Sequence, residues 1–372
     1  MKFSYFHLMP YTATTRKPDD WPVPNHDFDP KVAAKLYSVY IDSMVVAESC
    51  GFDWIGCNEH HMSPYGMMSN PNIIGSALIQ RTKTAKIAMV GSLVPLLNPL
   101  RVAEEYAMLD VMSEGRLVAG LLRGIPHEYV AYNVPPDESY GRLIEAIHFI
   151  KKAWTAEEPF GWEGKYYQFR AVSIWPKPYQ KPHPRILMSG SSDSSAKLAA
   201  REGAILGLAQ ITDLDAARRL IQVYRDEAKE CGWTAGPDDI MVGCSCMISN
   251  DVNEAMEMMD EGRAFLADVL GGGMRTAQQL VLQKTRYYDA DTKKTFRDMR
   301  NIMRVPMAEM MKQRTMAVGT PDMVVDTIKY LKKELGHGTM SLSMKIGNMP
   351  DAAVIRSLEM FRDHVHPEVK NL

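Results

Sequence analysis

Glu59, His60 and His61 are three consecutive residues whose side chains can act as acids, bases or metal ligands. They follow residues 53–57, a short apolar stretch that predicts a buried strand. An imidazole can hold or release a proton near neutral pH, and an adjacent carboxylate can orient it. The segment therefore predicts polar groups that leave the end of a strand and face a pocket. Taken alone, such a pair of histidines is more typical of packing or of a structural hydrogen bond.

A metal-dependent hydrolase is an alternative use of these three side chains. Neighbouring residues of a strand point to opposite faces, so His60 and His61 cannot easily bind the same ion. We therefore expect no metal site in this segment.

Arg123 follows the apolar run 117–122, which predicts another buried strand. A guanidinium group at the carboxyl end of a barrel strand is a fixed cation with a fork of donors, suited to a phosphate or a carboxylate. Pairing with a nearby acid, Glu128, is the alternative.

Gly190, Ser191, Ser192 and Ser195 open a predicted helix after the strand 185–189. Hydroxyls and free backbone N–H groups at a helix start attract an anion, and the helix dipole adds to the attraction. Serine-rich helix starts are also common without any ligand. The segment is thus a second candidate for binding a phosphate.

The elements that must position these residues repeat as strand and helix along the chain. The predicted strands are 2–9, 53–57, 85–94, 116–122, 185–189, 204–209, 240–248 and 340–346. Eight such units predict one (β/α)8 barrel of the TIM type, an α/β fold, as a single domain over 1–372. No Gly-x-Gly-x-x-Gly follows the first strand, so an open dinucleotide-binding sheet has no support.

Two segments exceed what such a barrel needs. Residues 162–184 are rich in aromatics and prolines and predict a hairpin followed by an extended strap before the fifth strand. Residues 268–314 lie between the seventh and eighth strands and include Gly271, Gly272 and Gly273, which predict the hinge of a mobile lid. A poorly ordered surface excursion is the alternative.

Charge and composition indicate which kinds of molecule the protein binds. The formal net charge is −2 with scattered basic residues, which does not favour nucleic acid or an anionic membrane surface. The amino terminus lacks the features of a secretory signal, no apolar run is long enough to span a bilayer, and the five cysteines show no metal-like pairing. These features predict a cytoplasmic protein that acts on a small molecule.

The chain resembles the bacterial luciferase-like flavin-dependent monooxygenase family in the order and spacing of its motifs. The resemblance is closest over residues 2–154, returns at 189–201 and 319–322, and is weakest in the strap and in 268–314. The matching motifs include Glu59-His60-His61, Asn98-Pro99, Gly115-Arg116-Leu117, Gly120 and Arg123-Gly124.

This resemblance implies a barrel that binds reduced FMN at the carboxyl ends of its strands and reacts with O2 through a flavin hydroperoxide. It implies hydroxylation of, or oxygen insertion into, a small hydrophobic or aromatic organic substrate. Because no nicotinamide fingerprint is visible, a separate NAD(P)H:flavin reductase is expected to supply the reduced FMN. The family also implies a homodimer or higher assembly, packed through the early helices.

The resemblance assigns roles to individual residues. His60 is the catalytic position, with His61 beside it and Glu59 supporting the pair. The end of the third strand is where the family often has a non-proline cis peptide beneath the flavin ring. The residues implied to bind the cofactor are Arg123, Ser191, Ser192 and Ser195 around the phosphate, with Gly190, Gly91, Ser92, Asn98 and Tyr129.

One position departs from the light-emitting members of the family. Leu122 stands where the luciferase subunit has a reactive cysteine, which favours a metabolic monooxygenase over a light emitter. Two further alternatives remain open: a deazaflavin-dependent hydride-transfer enzyme, and a flavin-binding relative without catalysis.

Overall fold

A closed barrel of eight parallel strands with helices between them forms the centre of the molecule, as the sequence predicts. The computed structural model describes residues 1–14, 21–277, 280, 285 and 305–372. The barrel strands are β1 Lys2–His7, β2 Trp54–Cys57, β3 Lys86–Met89, β4 Leu117–Gly120, β7 Arg185–Ser189, β8 Ile205–Leu208, β9 Ile240–Ile248 and β11 Thr339–Lys345. The ring closes because β11 pairs in parallel with both β9 and β1.

The described helices cover the outside of the ring, as expected for a barrel whose parallel strands are buried on both faces. They are α1 Pro30–Ser49, α2 Pro71–Arg81, α3 Pro99–Met112, α4 Pro126–Ala131, α5 Pro136–Thr155, α6 Asp193–Arg201, α7 Leu214–Glu230, α8 Val252–Ala277, α9 Met307–Lys312, α10 Pro321–Leu335, α11 Asp351–Met360 and α12 His366–Val369. None of them is long and apolar enough to cross a membrane.

The start of α3 shows how local sequence sets these elements. The Asn98 side chain accepts hydrogen bonds from Leu100 N and Arg101 N, and a proline occupies the first helical turn. Cap and proline together satisfy the helix start, as their order in the sequence predicts. The predicted stripe of Val102, Tyr106 and Leu109 is buried.

Apolar side chains from six strands fill the barrel interior. This layer consists of Trp54, Ala88, Val118, Leu187, Ile205 and Met241. Val90 directly follows β3, and Leu122 lies two residues beyond β4. Both pack on this layer and are only partly buried. The carboxyl end of the barrel therefore presents an apolar floor to whatever binds above it.

A ninth parallel strand, β10 (Met316–Gly319), was not among the predicted strands. It pairs with the outer half of β9, from Ser245 to Ile248, while the inner half of β9 belongs to the barrel. A strand of four residues is too short to show a periodicity in the sequence. It can form because β9 is long enough to pair with β10 beyond its pairing with β11.

The strap begins with the predicted hairpin. Strands β5 (Phe160–Glu163) and β6 (Gln168–Val172) are antiparallel. The strap then passes the base of the barrel, where Gln180 Nε2 donates to Asp110 Oδ1 (2.7 Å) and to Leu117 O (2.9 Å). Since Leu117 begins β4, the strap lies at the end of the barrel opposite to Glu59.

The three glycines expected to form a hinge are helical. Gly271, Gly272 and Gly273 lie inside α8, which continues to Ala277. Residues 278, 279, 281–284 and 286–304 of the predicted lid lie outside the described residues. The lid therefore stays a prediction, and its first described part is a helix with low intrinsic propensity.

Gly120 provides a stability test of the close contact between β3 and β4. A Cβ built on Gly120 would lie 1.5 Å from Met89 O. Gly120→Ala is therefore expected to lower the free energy of unfolding by about 3 kcal/mol or more, because the strands must separate.

Gly161→Ala is the matched control, since its Cβ would lie 3.4 Å from the nearest atom, Arg170 O. Gly161→Ala should change the free energy of unfolding by less than about 1 kcal/mol. The midpoint of urea unfolding is measured for both variants. Equal midpoints would show that the contact between Gly120 and Met89 O is not rigid.

Candidate active site

The segment after β2 places its three functional side chains at the carboxyl end of the barrel. Glu59 and His61 are 3% and 6% exposed, whereas the His60 side chain is 21% exposed. A Cβ on Gly91 would lie 2.5 Å from Glu59 N, so the chain after β3 can pass this segment only with glycine at that position. Gly91 thus sets the position of Glu59.

His61 is held from both sides of its ring. Its Nε2 lies 2.9 Å from Glu59 Oε1, and the Tyr132 hydroxyl lies 3.2 Å from its Nδ1. Glu59 Oε2 also accepts a hydrogen bond from Leu93 N at 3.1 Å. Burial, with the negative charges of Glu59 and Glu128, raises the pKa of Tyr132, so the phenol stays protonated and can donate to Nδ1.

His60 has a different carboxylate partner. Its Nδ1 lies 3.1 Å from Oε1 of Glu128, whose side chain is fully buried. Glu128 Oε2 accepts from Ile125 N at 2.8 Å, which fixes the carboxylate at the start of α4. His60 can therefore present Nε2 to a reacting group while Glu128 sets its tautomer.

The two imidazoles belong to separate networks, in keeping with their opposite directions on the chain. Among the described residues, no three His, Cys, Asp or Glu side chains come together as a metal site. The sequence predicts Glu128 only as a partner of Arg123 and indicates no role for Tyr132. Their one signal in the sequence is that both lie just beyond the strand that ends at Gly120.

Arg123 and the serine segment leave adjacent strands. Leu121 N donates to Leu187 O at 2.9 Å, so the chain after β4 and the chain after β7 emerge side by side. Tyr129, predicted to contact the cofactor, is 1% exposed, and its hydroxyl donates to Arg123 O and Gly124 O at 3.2 and 3.1 Å. Tyr129 thus supports the turn that contains Arg123.

The serines form a compact helix start. Ser192 Oγ accepts from Ser195 N, and Ser195 Oγ accepts from Ser191 N and Ser192 N at 2.9 Å. Ser191 and Ser192 are exposed, and Gly190 packs where a Cβ would lie 2.4 Å from Leu206 Cδ1. The mutual hydrogen bonds order the segment, and its exposed hydroxyls stay accessible to an anion.

Two further residues predicted to bind the cofactor, Ser92 and Asn98, line a cavity together with Glu59. Ser92 is buried, with its carbonyl accepting from Val94 N and Leu122 N. Asn98 caps α3, and it lines a cavity of about 210 Å³ together with Glu59, Ser92 and Tyr132. Ser92 therefore lies beside the chain that leads into Arg123, and Asn98 lies on the same cavity as Glu59 and Tyr132.

The expected non-proline cis peptide at Val90–Gly91–Ser92 is wrong. The cis peptide bonds of the described residues all precede prolines, at Pro22, Pro176 and Pro182. The absent side chain of Gly91 already lets the backbone approach Glu59.

Comparisons with known proteins agree with this fold. The family model described as luciferase-like monooxygenase matches residues 23–338. The alkanal monooxygenase alpha chain of Aliivibrio fischeri is 27% identical over 212 residues, which are 57% of this chain and 59% of that protein. The chain thus spans little more than half the length of the curated relatives that it matches first.

Two solved structures share the whole fold. The monooxygenase RslO1 from Streptomyces bottropensis has a TM-score of 0.75 and 27% identity, covering 99% of both chains. The oxygenating constituent of 3,6-diketocamphane monooxygenase from Pseudomonas putida, a type II Baeyer-Villiger monooxygenase in complex with FMN, has a TM-score of 0.76 and 21% identity, covering 99% of this chain and 98% of that one. With the family model matching most of its length, this chain belongs to the luciferase-like monooxygenase family.

Proposed function

We propose that this chain is the oxygenase component of a two-component flavin monooxygenase. It uses reduced FMN and O2 to hydroxylate, or insert oxygen into, a small hydrophobic or aromatic substrate. The observation that supports this most directly is the His60–Glu128 pair, in which a partly exposed imidazole is oriented by a buried carboxylate at the carboxyl end of the barrel. This is the end where barrel enzymes react.

The residues present fit FMN in charge and in shape. Arg123 supplies a cation, and Ser191, Ser192 and Ser195 supply hydroxyls and a helix start on the adjacent strand end, which suit a phosphate. The partly buried Val90 and Leu122 offer an apolar floor for an aromatic ring. Bound reduced FMN would supply the activation of O2.

The chain's own side chains then have distinct roles. His60 Nε2 can hold a proton at a reacting oxygen, and Glu128 keeps the ring in the tautomer that makes this possible. Glu59 and Tyr132 fix His61, which holds the segment in register beside His60.

Exclusion of water from the site comes from a cover of apolar side chains. Tyr65, Val269 and Leu270 form a buried cluster between α8 and the segment after Glu59. Ser63 Oγ donates to Val269 O at 2.9 Å and joins α8 to that segment. A dry site protects a reactive intermediate from hydrolysis and proton leakage.

The proposal includes a separate reductase, since the sequence shows no dinucleotide fingerprint for binding the nicotinamide reductant itself. The relative solved with FMN is itself called an oxygenating constituent, which is consistent with a second component that supplies electrons. The deazaflavin-dependent hydride transferase remains the second candidate.

Anaerobic titration with FMNH2, followed by stopped-flow mixing with O2, tests the proposal. We expect FMNH2 to bind, and the absorbance of oxidised FMN to return much more slowly than from free FMNH2, because the site excludes water. Absence of FMNH2 binding, together with anaerobic turnover of a reduced deazaflavin, would favour the hydride transferase.

Two single substitutions test the proposed phosphate site at Arg123 and the proposed His60–Glu128 pair independently. Arg123→Ala should weaken FMNH2 binding by at least about tenfold through loss of a charged phosphate contact. Glu128→Gln should lower the rate of product formation by about 10- to 100-fold with FMNH2 affinity nearly unchanged, because it removes the carboxylate that orients His60.

The controls are Arg170→Ala and Glu163→Gln, which change exposed residues of the hairpin. Both variants should have the FMNH2 affinity and the rate of product formation of the unchanged chain. A loss of FMNH2 affinity in Glu128→Gln equal to that in Arg123→Ala would contradict the separation of roles.

We also propose a homodimer that packs through α2 and α3. Both helices expose apolar side chains to solvent, and an exposed apolar patch is typical of a protein–protein interface. Its members are Ile73 (67% exposed), Met108 (49%), Val111 (40%) and Met112 (44%).

Met108→Glu is expected to shift the chain from dimer to monomer, because two like charges would face each other across a twofold interface. Sedimentation equilibrium measures the mass. The control Met323→Glu changes a residue of α10 that is 37% exposed and should leave the dimer intact. A monomeric unchanged chain would contradict the proposal.

A further inference from the structure

Met68 lies beside the segment that contains Glu59 and His60, although it belongs to the loop that precedes α2. Its backbone carbonyl accepts a hydrogen bond from His60 N at 3.3 Å. Its thioether sulfur accepts a hydrogen bond from Asn58 N at 3.2 Å. One residue thus binds the chain on both sides of Glu59, through a carbonyl oxygen and through a sulfur.

These two N–H groups need acceptors because β1 no longer pairs with β2 at this level. The last residue pair between the two strands is Phe6 with Gly56, and β1 ends at His7. Asn58 is 1% exposed, so bulk water does not reach its N–H group. Buried backbone donors in native proteins are nearly all hydrogen-bonded. Met68 therefore supplies the acceptors where β1 ends.

The backbone of Gly91 closes the other side of the same segment. A Cβ built on Gly91 would lie 2.5 Å from Glu59 N and 3.0 Å from the Cα of Asn58. The segment cannot move toward Gly91, so its position depends on what holds it from the side of Met68.

Met68 is itself held in place. It is 1% exposed and belongs to the main hydrophobic core. The residue before it is bound on both of its backbone groups: Met67 N donates to Met9 O at 2.8 Å, and the Tyr37 hydroxyl of α1 donates to Met67 O at 2.7 Å. The sulfur is therefore presented to Asn58 N from a fixed position.

We propose that Met68 is a positioning residue for His60, and that its sulfur keeps the imidazole in contact with Glu128. The inference rests on the proposed function, because that function gives His60 the reacting role. His60 Nδ1 lies 3.1 Å from Glu128 Oε1. A movement of the segment by about 0.5 Å would lengthen this contact beyond a good hydrogen bond.

Leucine in place of Met68 removes the acceptor while keeping the volume. Exchange of methionine and leucine in a core is usually tolerated, because the two side chains are similar in size. Asn58 N would then be a buried donor without a partner, which is costly. The chain can relieve this cost only by moving Asn58, and His60 lies two residues further along the same segment.

The test compares Met68→Leu with Met67→Leu, which makes the same change one residue earlier. Within the described residues, the hydrogen bonds of Met67 all use its backbone. NMR of the full chain with 15N-labelled histidine, in mildly alkaline buffer, measures the two neutral tautomers of His60. Its signals are assigned from His60→Asn.

In the unchanged chain we expect the tautomer with the proton on Nδ1, since Glu128 accepts that proton. Met68→Leu should raise the fraction with the proton on Nε2 about three- to tenfold, because the contact with Glu128 is weakened. Met67→Leu should leave both fractions unchanged. Near-UV circular dichroism shows whether each variant is folded.

Gly66→Ala is a second variant that displaces the same loop without removing the sulfur. Its Cβ would lie 3.4 Å from His60 Cβ and 3.2 Å from Leu8 O. The tautomer fractions should shift in the same direction, and this variant decides the test if Met68→Leu does not fold.

Equal tautomer fractions in Met68→Leu and Met67→Leu would overturn the inference. So would unchanged fractions in Gly66→Ala where that variant decides. Failure of the oxygenase proposal is recognised separately, because the tautomers are measured without FMNH2 or O2.

Discussion

Close backbone contact between neighbouring strand ends is the constraint on which the rest of the site depends. Gly91 lets the chain after β3 touch Glu59 N, and Gly120 lets β4 approach Met89 O. Any side chain at either position would force the strands apart. The contact brings Leu93 N within 3.1 Å of Glu59 Oε2, and that bond fixes the carboxylate that holds His61.

From this contact the polar networks extend in two directions. One passes from Glu59 through His61 to Tyr132, and the other joins His60 to Glu128. Each imidazole thus has its own buried carboxylate, which explains how adjacent histidines serve different purposes without competing for one partner. A satisfied network of this kind holds a ring in one tautomer and one orientation.

The side chains that cover the site lack the complete hydrogen bonding of these networks. Trp21, Tyr65 and His127 are buried, and four of their polar atoms have no hydrogen-bond partner within the part of the chain that the structure describes. These side chains are less well hydrogen-bonded than the networks around His60 and His61, and unpaired buried polar groups lower the stability of a fold.

Much of this followed from sequence because it depends on local rules. Strand and helix periodicity predicted eight barrel strands, and Asn98 with its following proline predicted the start of α3. The partners Glu128 and Tyr132 could not be predicted, because they lie 68 and 71 residues from the histidines they bind. Only the pairing of β3 with both β2 and β4 brings them together. Tertiary packing also bears on the glycines of α8, since Gly273 faces Trp21 and His127 within a helix of low intrinsic propensity. The sequence by itself thus determined the barrel and the chemical type of its groups, whereas tertiary contacts decided which groups pair, because hydrogen bonds depend on distances that no local pattern encodes.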